Sequence, residues 1–178
     1  MPAGLCETVA VSNPKAIERL RPQVFGAVVL ICVQSGIGMF VNLFVTIPKR
    51  HAGANPANYF GGSMRSVAWA IDHGAVALAI HVVLGLLLAI MVIGIVARAF
   101  VIGRVSLIVW SNLGALGTIG AGFTGAGFLD FNEDVSSFFM AILAFSSLIC
   151  FAVVVYLPSH TTPVEPRASE PTLASNNR

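Results

Sequence analysis

Four long stretches without Asp, Glu, Lys or Arg constrain this chain more than any other feature of its sequence. They cover residues 23–48, 73–97, 105–129 and 135–164, and each is dominated by apolar residues. A helix that crosses about 30 Å of hydrocarbon needs roughly 20 such residues. Only 10% of the residues are charged, whereas a soluble domain averages about 25%. The sequence therefore predicts an all-α integral membrane protein with four transmembrane helices.

Turn and helix-breaking residues place the ends of these helices. Pro48 ends the first, because proline lacks the backbone donor that a helix needs, and short turns near Gly103 and Asp130 separate the last three. We predict helices over about 22–47, 73–100, 104–129 and 133–157, together forming a transmembrane domain of residues 22–157. Because the connections are short, the helices are expected to form an up-down antiparallel bundle.

The segments outside the predicted helices are polar. Residues 1–21 lack the features of a cleavable signal peptide, and residues 158–178 have the Pro, Ser and Thr content of a disordered tail. The connection 49–72 is aromatic and weakly polar, which suits the level of the lipid headgroups. On the side of the membrane that carries the N-terminus, five basic residues flank the helices: Lys15, Arg19, Arg21, Arg98 and Arg104. On the opposite side there are three: Lys49, Arg50 and Arg65. Both termini are therefore predicted to be cytoplasmic, with the protein in the plasma membrane.

The stretch GAGFTGAGFLDFNED, residues 120–134, contains the G-x-G-x-x-G spelling of a dinucleotide-binding loop. That loop follows a strand and opens a helix, whereas these glycines lie late in an apolar helical segment. At about 100° per residue, small residues occupy one arc of roughly 80° on the third predicted helix: Ser111, Gly114, Thr118, Gly122 and Gly125. Small residues let helices approach closely in lipid. This face is predicted to pack on a neighbouring helix or to leave a slot for a flat ligand, and the first predicted helix has a similar patch at Ser35, Gly36 and Gly38.

The acidic turn that follows this face matches the opening of a calcium loop, Asp130-x-Asn132-x-Asp134. The positions that require Gly and a bidentate acid hold Val135 and Ala141, so a calcium site is not expected. Asp130 is instead expected to cap the turn and Asn132 the last helix, with the acidic residues favouring its positive end. A Zn²⁺ or Cu²⁺ site on this face is an alternative, although the spacing fixes no geometry for its candidate ligands, His51, Asp72, His73, Asp130, Glu133 and Asp134.

Two histidines of the second predicted helix are candidate cofactor ligands. His73 opens that helix and His81 lies about 12 Å further along its axis; an ionisable side chain in a membrane span is a functional-site hypothesis by default. The segment His81-Val-Val-Leu-Gly85 resembles the His-x-x-Leu-Gly stretch of some membrane b-type cytochromes and haem-handling proteins. The resemblance implies haem b, although such haem is held between histidines of two helices and the other three predicted helices contain none. Alternatively, His81 binds a quinone or only forms a hydrogen bond to Thr118, Gln34 or Asn42.

No catalytic or transport arrangement emerges from the sequence. No serine, histidine and acid lie at matched depth, and neither a buried carboxylate nor inverted repeats favour transport. The leading prediction is a small multi-pass membrane protein that acts as a subunit or accessory protein, either self-associating or bound to a partner membrane protein. The alternatives are a redox protein that binds haem or quinone at His81, with His73 as a second candidate ligand, and, third, a small transporter component. The formal net charge of +2 gives no reason to expect nucleic acid as a partner, and enzyme activity would require a bound cofactor.

Overall fold

The computed structural model describes residues 14–131 and 134–157, and within these ranges all regular secondary structure is helical. The described residues form α1 (Pro14–Phe44), α2 (Tyr59–Asp72), α3 (Val76–Ile102), α4 (Val105–Phe131) and α5 (Asp134–Tyr156). Four of these helices, α1, α3, α4 and α5, are long and apolar enough to cross a membrane. For the described residues, the predictions of all-helical secondary structure and of four long apolar helices are confirmed. The described residues do not include residues 1–13, Asn132, Glu133 or the predicted disordered tail of residues 158–178.

Helix α1 begins eight residues earlier than predicted and continues through Pro22. Proline is well tolerated at the first helical position, which Pro14 occupies. The segment before Pro22 stays helical because one apolar stripe runs through it into the core, with buried residues three to four apart: Ile17, Leu20, Val24, Ala27 and Ile31. At its other end, α1 stops at Phe44, four residues before Pro48.

The connection from α1 to α3 contains a helix that the sequence pattern does not predict. Helix α2 starts at the cap Asn58, whose side chain accepts a hydrogen bond from the Gly61 N–H at 3.3 Å. It ends at His73, whose backbone N–H donates to the Trp69 carbonyl at 2.8 Å. The prediction that His73 opens the second long helix is therefore wrong: His73 is the C-cap of α2, and α3 starts only at Val76.

The long helices pack in a ring in which α1 contacts α3 and α5, and α4 contacts the same two helices. The core inside this ring is apolar and includes Val92, Ile95 and the fully buried Phe151. At one end of the ring, Arg21 Nη2 donates to the Leu157 carbonyl at 2.8 Å. A second apolar cluster lies towards the other end, where α2 packs on α3 and α4.

The turn between α3 and α4 depends on Gly103. This residue has a φ of 74°, and its N–H donates to the carbonyls of Ala99 and Phe100, each at 3.1 Å. Glycine is the residue that most readily adopts this left-handed cap conformation. The cap therefore allows α4 to begin at Val105, two residues after Gly103.

Candidate functional site

His81 lies on α3 where that helix packs against α1, and two glycines make room for the contact. A Cβ built on Gly38 of α1 would lie 2.7 Å from His81 Cε1. Gln34 Nε2, one turn earlier on α1, donates to the His81 carbonyl oxygen at 2.7 Å. A Cβ on Gly85 of α3 would lie 3.1 Å from the same Nε2 atom. The two helices thus accommodate a polar pair, His81 and Gln34, against Gly38 and Gly85.

Two atoms of the His81–Gln34 pair are buried without a hydrogen-bond partner. They are His81 Nδ1 and Gln34 Oε1. The amide oxygen can only accept, whereas Nδ1 donates or accepts according to the tautomer. Of the three predicted partners of His81, Gln34 is the one that bonds to it, through the backbone carbonyl. Thr118 instead forms a hydrogen bond between its Oγ1 and Ser147 Oγ at 2.6 Å. Asn42 Oδ1 accepts a hydrogen bond from Ser137 Oγ at 3.3 Å.

The predicted small-residue face of α4 lies largely against α5. A Cβ on Gly114 would lie 2.9 Å from Phe151 Cζ, and one on Gly125 would lie 3.1 Å from Met140 Sδ. Ser147 Oγ donates to the Gly114 carbonyl at 2.7 Å. Two predicted members differ: Gly122 faces open space, and the Ser111 hydroxyl is buried without a partner. His81 therefore contacts α1, while most of the small-residue face contacts α5, so the two do not meet across a common slot.

Gly117 is a close contact of α4 with α5 that the predicted arc left out. A Cβ at this position would lie 3.0 Å from the Leu143 carbonyl oxygen and 3.1 Å from Ser147 Cβ. On a helical projection Gly117 lies about 60° from Gly114, on the side opposite to Gly122. The predicted arc therefore lies to one side of the face that contacts α5. The sequence signal for this contact is the Gly114-x-x-Gly117 spacing, which places a second glycine about one turn from Gly114.

Asp130 forms the centre of a polar cluster where α2 and the preceding loop cover the end of α4. Its side chain is only 2% exposed, and Oδ2 accepts from Ser63 Oγ at 2.7 Å. Its backbone carbonyl accepts from the Asn55 N–H at 2.9 Å. The expectation that Asp130 caps the turn is wrong, because the residue lies within α4 and its side chain bonds to a serine of α2. The expected absence of a buried carboxylate is also wrong, because the Asp130 side chain is buried.

The loop that precedes α2 is attached to α4 by a histidine. His51 Nε2 donates to the Leu129 carbonyl at 3.0 Å, and the ring stacks on Trp69 with the centroids 4.3 Å apart. Within α2, Tyr59 donates from its hydroxyl to the Phe123 carbonyl at 2.8 Å. The side chains of this connection therefore form hydrogen bonds with backbone carbonyls along the last turns of α4.

A cavity of about 250 Å³ lies between this loop and the end of α4, and we refer to it as the Asp130 cavity. Asp130 Oδ1 is buried without a hydrogen-bond partner. Because this oxygen has less than 1 Å² of accessible surface, it is not open to the cavity, although Asp130 is one of the lining residues. The lining of the Asp130 cavity mixes charged, amide and apolar residues: Pro48, Lys49, His51, Ala54, Asn55, Leu129, Asp130 and Phe131.

The candidate metal ligands do not come together in the described part of the chain. Within it, no three His, Cys, Asp or Glu side chains are placed to hold one metal ion. Asp72 and His73 are exposed at the end of α2, while His51 bonds to α4 and Asp130 to Ser63. Glu133 and the side chain of Asp134, which the hypothesis also included, lie outside the described residues.

Comparison with known proteins gives no relative from which a role could be transferred: no family model, curated protein or solved structure matches the chain. The fold defines the class of protein as helical, with four helices that could span a membrane. Its function is therefore inferred from the residues and contacts described above.

Proposed function

We propose that the protein is a multi-pass membrane protein in which α1, α3, α4 and α5 cross the bilayer as an up-down antiparallel bundle. The observation that carries this proposal is the apolar surface of all four helices. Large side chains on each are mostly exposed, including Leu43 (67%), Ile90 (68%), Leu116 (66%) and Phe145 (64%). A soluble monomer rarely exposes so extensive an apolar surface. Lipid chains can surround it, because the helices satisfy their own backbone hydrogen bonds.

The contacts at the two ends of the ring support the topology. Arg21 at the start of α1 bonds to Leu157 just after α5, and Asn42 near the end of α1 bonds to Ser137 near the start of α5. The distribution of Lys and Arg favours cytoplasmic termini in the plasma membrane, which places α2 on the outer face. Reporter fusions test this: alkaline phosphatase is expected to be active after residue 58 and inactive after residue 178. The reverse pattern would overturn the orientation, and release by alkaline carbonate would overturn membrane insertion.

Within the membrane we assign the protein the role of a subunit or accessory protein. Support comes from the outward face of α1, where a Cβ on Gly36 would have no atom within 4 Å. Cys32, one turn earlier, is also exposed, and larger side chains flank the pair at Val29, Val33 and Phe40. A shallow notch between larger residues is a surface on which a second helix can approach closely in lipid.

Oxidative cross-linking in membranes tests this role. In a variant with Cys6→Ser and Cys150→Ser, Cys32 is expected to form a disulfide-linked dimer if the chain self-associates, or an adduct with a partner protein. Gly36→Leu should abolish the product because it fills the notch, whereas Gly122→Leu on α4 should retain it. A monomer after mild detergent extraction, with no cross-linked product before extraction, would refute the role.

Binding of a quinone or haem at His81 is the second candidate function. It is favoured by the two unpartnered buried atoms, His81 Nδ1 and Gln34 Oε1, since a quinone carbonyl could accept from a protonated Nδ1. The absorption spectrum after haem supplementation and the quinone content of the purified protein test it. A wild-type protein with neither a Soret band nor extractable quinone would refute this candidate. A Soret band or quinone content that is unchanged in His81→Ala would also refute it.

A further inference from the structure

Helix α2 turns its small residues towards the bundle and its larger apolar residues away from it. The buried positions are Gly62, Ser63, Ser66 and Ala70. Phe60 and Met64, by contrast, are 66% and 73% exposed, and Ile71 is 38% exposed. A helix on the surface of a water-soluble protein has the opposite arrangement, with its apolar face against the core. The outward apolar side chains of α2 therefore need an apolar surrounding that the described part of the chain does not supply.

A helical projection divides the exposed surface of α2 into an apolar sector and a charged sector. At about 100° per residue, Phe60, Ile71 and Met64 fall within an arc of roughly 40°, and we refer to these three residues as the α2 apolar stripe. Arg65 and Asp72, which are also exposed, lie on a second arc centred about 110° further round. An apolar sector beside a charged sector is typical of a helix at a membrane interface, with one sector against acyl chains and the other in water.

The α2 apolar stripe continues into the exposed apolar surface of α4. The Phe60 ring makes an edge contact with the ring of Phe123, with the centroids 6.0 Å apart. Tyr59, the first residue of α2, donates from its hydroxyl to the Phe123 carbonyl at 2.8 Å. Phe123 is itself 46% exposed. In the topology proposed above, on which this inference rests, lipid surrounds that surface of α4, so the same lipid borders the stripe.

The position of Phe123 along α4 sets the depth of this contact. Phe123 lies eight residues, or about 12 Å, before the last residue of α4. A helix of 27 residues is about 40 Å long, which exceeds the thickness of the hydrocarbon by about 10 Å. Even if all of this excess projects on the side of α2, Phe123 still lies within the hydrocarbon. The contacts of Tyr59 and Phe60 with Phe123 therefore place the start of α2 beside acyl chains, where a water-soluble partner does not reach.

We propose that the α2 apolar stripe is embedded in the acyl chains of the leaflet on its side of the membrane, so that α2 is a lipid-immersed helix that does not span. The small buried face attaches α2 to α3 and α4, while the charged sector stays in water. The proposal separates residues that are neighbours in the chain and are all exposed in the structure. Met64 and Ile71 contact lipid, whereas Arg65 and Asp72 contact water.

Two adjacent pairs of single-cysteine variants test the proposal in a full chain that carries Cys6→Ser, Cys32→Ser and Cys150→Ser. The pairs are Met64→Cys with Arg65→Cys and Ile71→Cys with Asp72→Cys. In native membranes and in liposomes of the purified protein, a membrane-impermeant charged maleimide should label the stripe member of each pair at least about tenfold more slowly, because the reagent and the reactive thiolate are both disfavoured beside acyl chains. A nitroxide attached at Met64→Cys should collide more often with dissolved oxygen than with a water-soluble nickel chelate, and one at Arg65→Cys should show the reverse. After unfolding in SDS, the two members of each pair should react equally, which is the control for intrinsic reactivity.

Each outcome decides the proposal. Equal labelling rates within either pair in liposomes would overturn it, because the stripe would then contact water. Slow labelling of the stripe in native membranes that becomes equal to that of the charged neighbours in liposomes would assign the stripe to a partner protein and overturn the lipid contact. Membrane insertion is scored separately by alkaline wash. A wash-resistant protein with equal labelling refutes the lipid contact alone, whereas a protein released by the wash refutes the proposed function.

Discussion

Replacing Gly117 by leucine tests whether the close approach of α4 to α5 stabilises the bundle. Even a Cβ at this position would lie 3.0 Å from the Leu143 carbonyl oxygen and 3.1 Å from Ser147 Cβ. Ordinary contacts of a Cβ begin at 3.4 Å. Because the obstructing atoms belong to backbone or to a Cβ, α5 has to move away as a whole. That movement lengthens the bond from Ser147 Oγ to the Gly114 carbonyl, now 2.7 Å.

The cost follows from three contributions. Overpacking costs about 1–3 kcal/mol, and the interhelical hydrogen bonds of Ser147 to Gly114 and Thr118 contribute roughly 0.6 kcal/mol each in a membrane bundle. The higher helix propensity of leucine returns about 0.8–1 kcal/mol. The expected net loss is about 1–3 kcal/mol. For a chain of this size, a loss of 1 kcal/mol lowers Tm by roughly 2–4 °C, so we expect a Tm lowered by about 2–12 °C.

Thermal unfolding in one detergent, followed by size-exclusion chromatography of the soluble fraction, measures this shift. The matched control is Gly122→Leu on the same helix, where an added Cβ would have no atom within 4 Å. That variant should melt at or above the wild-type temperature because leucine favours the helix. Gly117→Ala should fall between wild type and Gly117→Leu. Equal melting of Gly117→Leu and Gly122→Leu would refute the packing of α4 on α5 described here.

Three further predictions concern the other contacts. Gly38→Ala should lower Tm because the new methyl group displaces the His81 ring, and the loss should shrink in a His81→Ala background, as a double-mutant cycle of Tm values would show. Ser63→Ala should destabilise the chain by about 1–3 kcal/mol because it removes the donor to the buried Asp130, measured by the same melt. Gly53→Ala should make the loop before α2 more sensitive to protease, because its φ of 100° disfavours a side chain.

Two substitutions serve as controls for these variants. Gly36→Ala on α1 adds a methyl group with no neighbour within 4 Å and should leave Tm unchanged or raise it. Gly61→Ala on α2 would bring its Cβ only to 3.9 Å from Arg65 Nη2 and should leave proteolysis unchanged. If Gly38→Ala behaves like Gly36→Ala, or Gly53→Ala like Gly61→Ala, the corresponding contact does not constrain the fold.

The long helices were predictable because hydrocarbon thickness imposes a length and an absence of charge that can be read directly from the chain. Helix α2 was not, because its 14 residues include Gly61, Gly62 and Arg65, which resemble a loop in composition. Its helical form is supported by the Asn58 cap and by contacts with α3 and α4. Neither the cap nor these interhelical contacts require an uninterrupted apolar stretch in the sequence, which is the pattern that identifies the other helices.

The sites were less predictable because they depend on which helices become neighbours. His81 was recognisable as a polar residue in an apolar span, but its contact with Gly38 depends on how α1 packs on α3. The local sequence predicts that Asp130 is a cap, whereas its hydrogen-bond partner Ser63 is 67 residues away in the chain. The predicted arc excludes Gly117, because a helical projection shows which residues share a face but not the direction from which a neighbouring helix approaches.

The glycine-rich packing of α4 has a consequence for how the protein is made. Helix α4 is the least apolar of the four candidate spans, and glycine contributes little to partitioning of a nascent segment into lipid. In the proposed topology we expect α4 to leave the insertion machinery inefficiently as a single segment. Helix α5 begins three residues after α4 ends and packs closely against it. Synthesis of α5 should therefore precede stable insertion of α4, and chains truncated after residue 131 should be retained less well in the membrane than chains ending at residue 157.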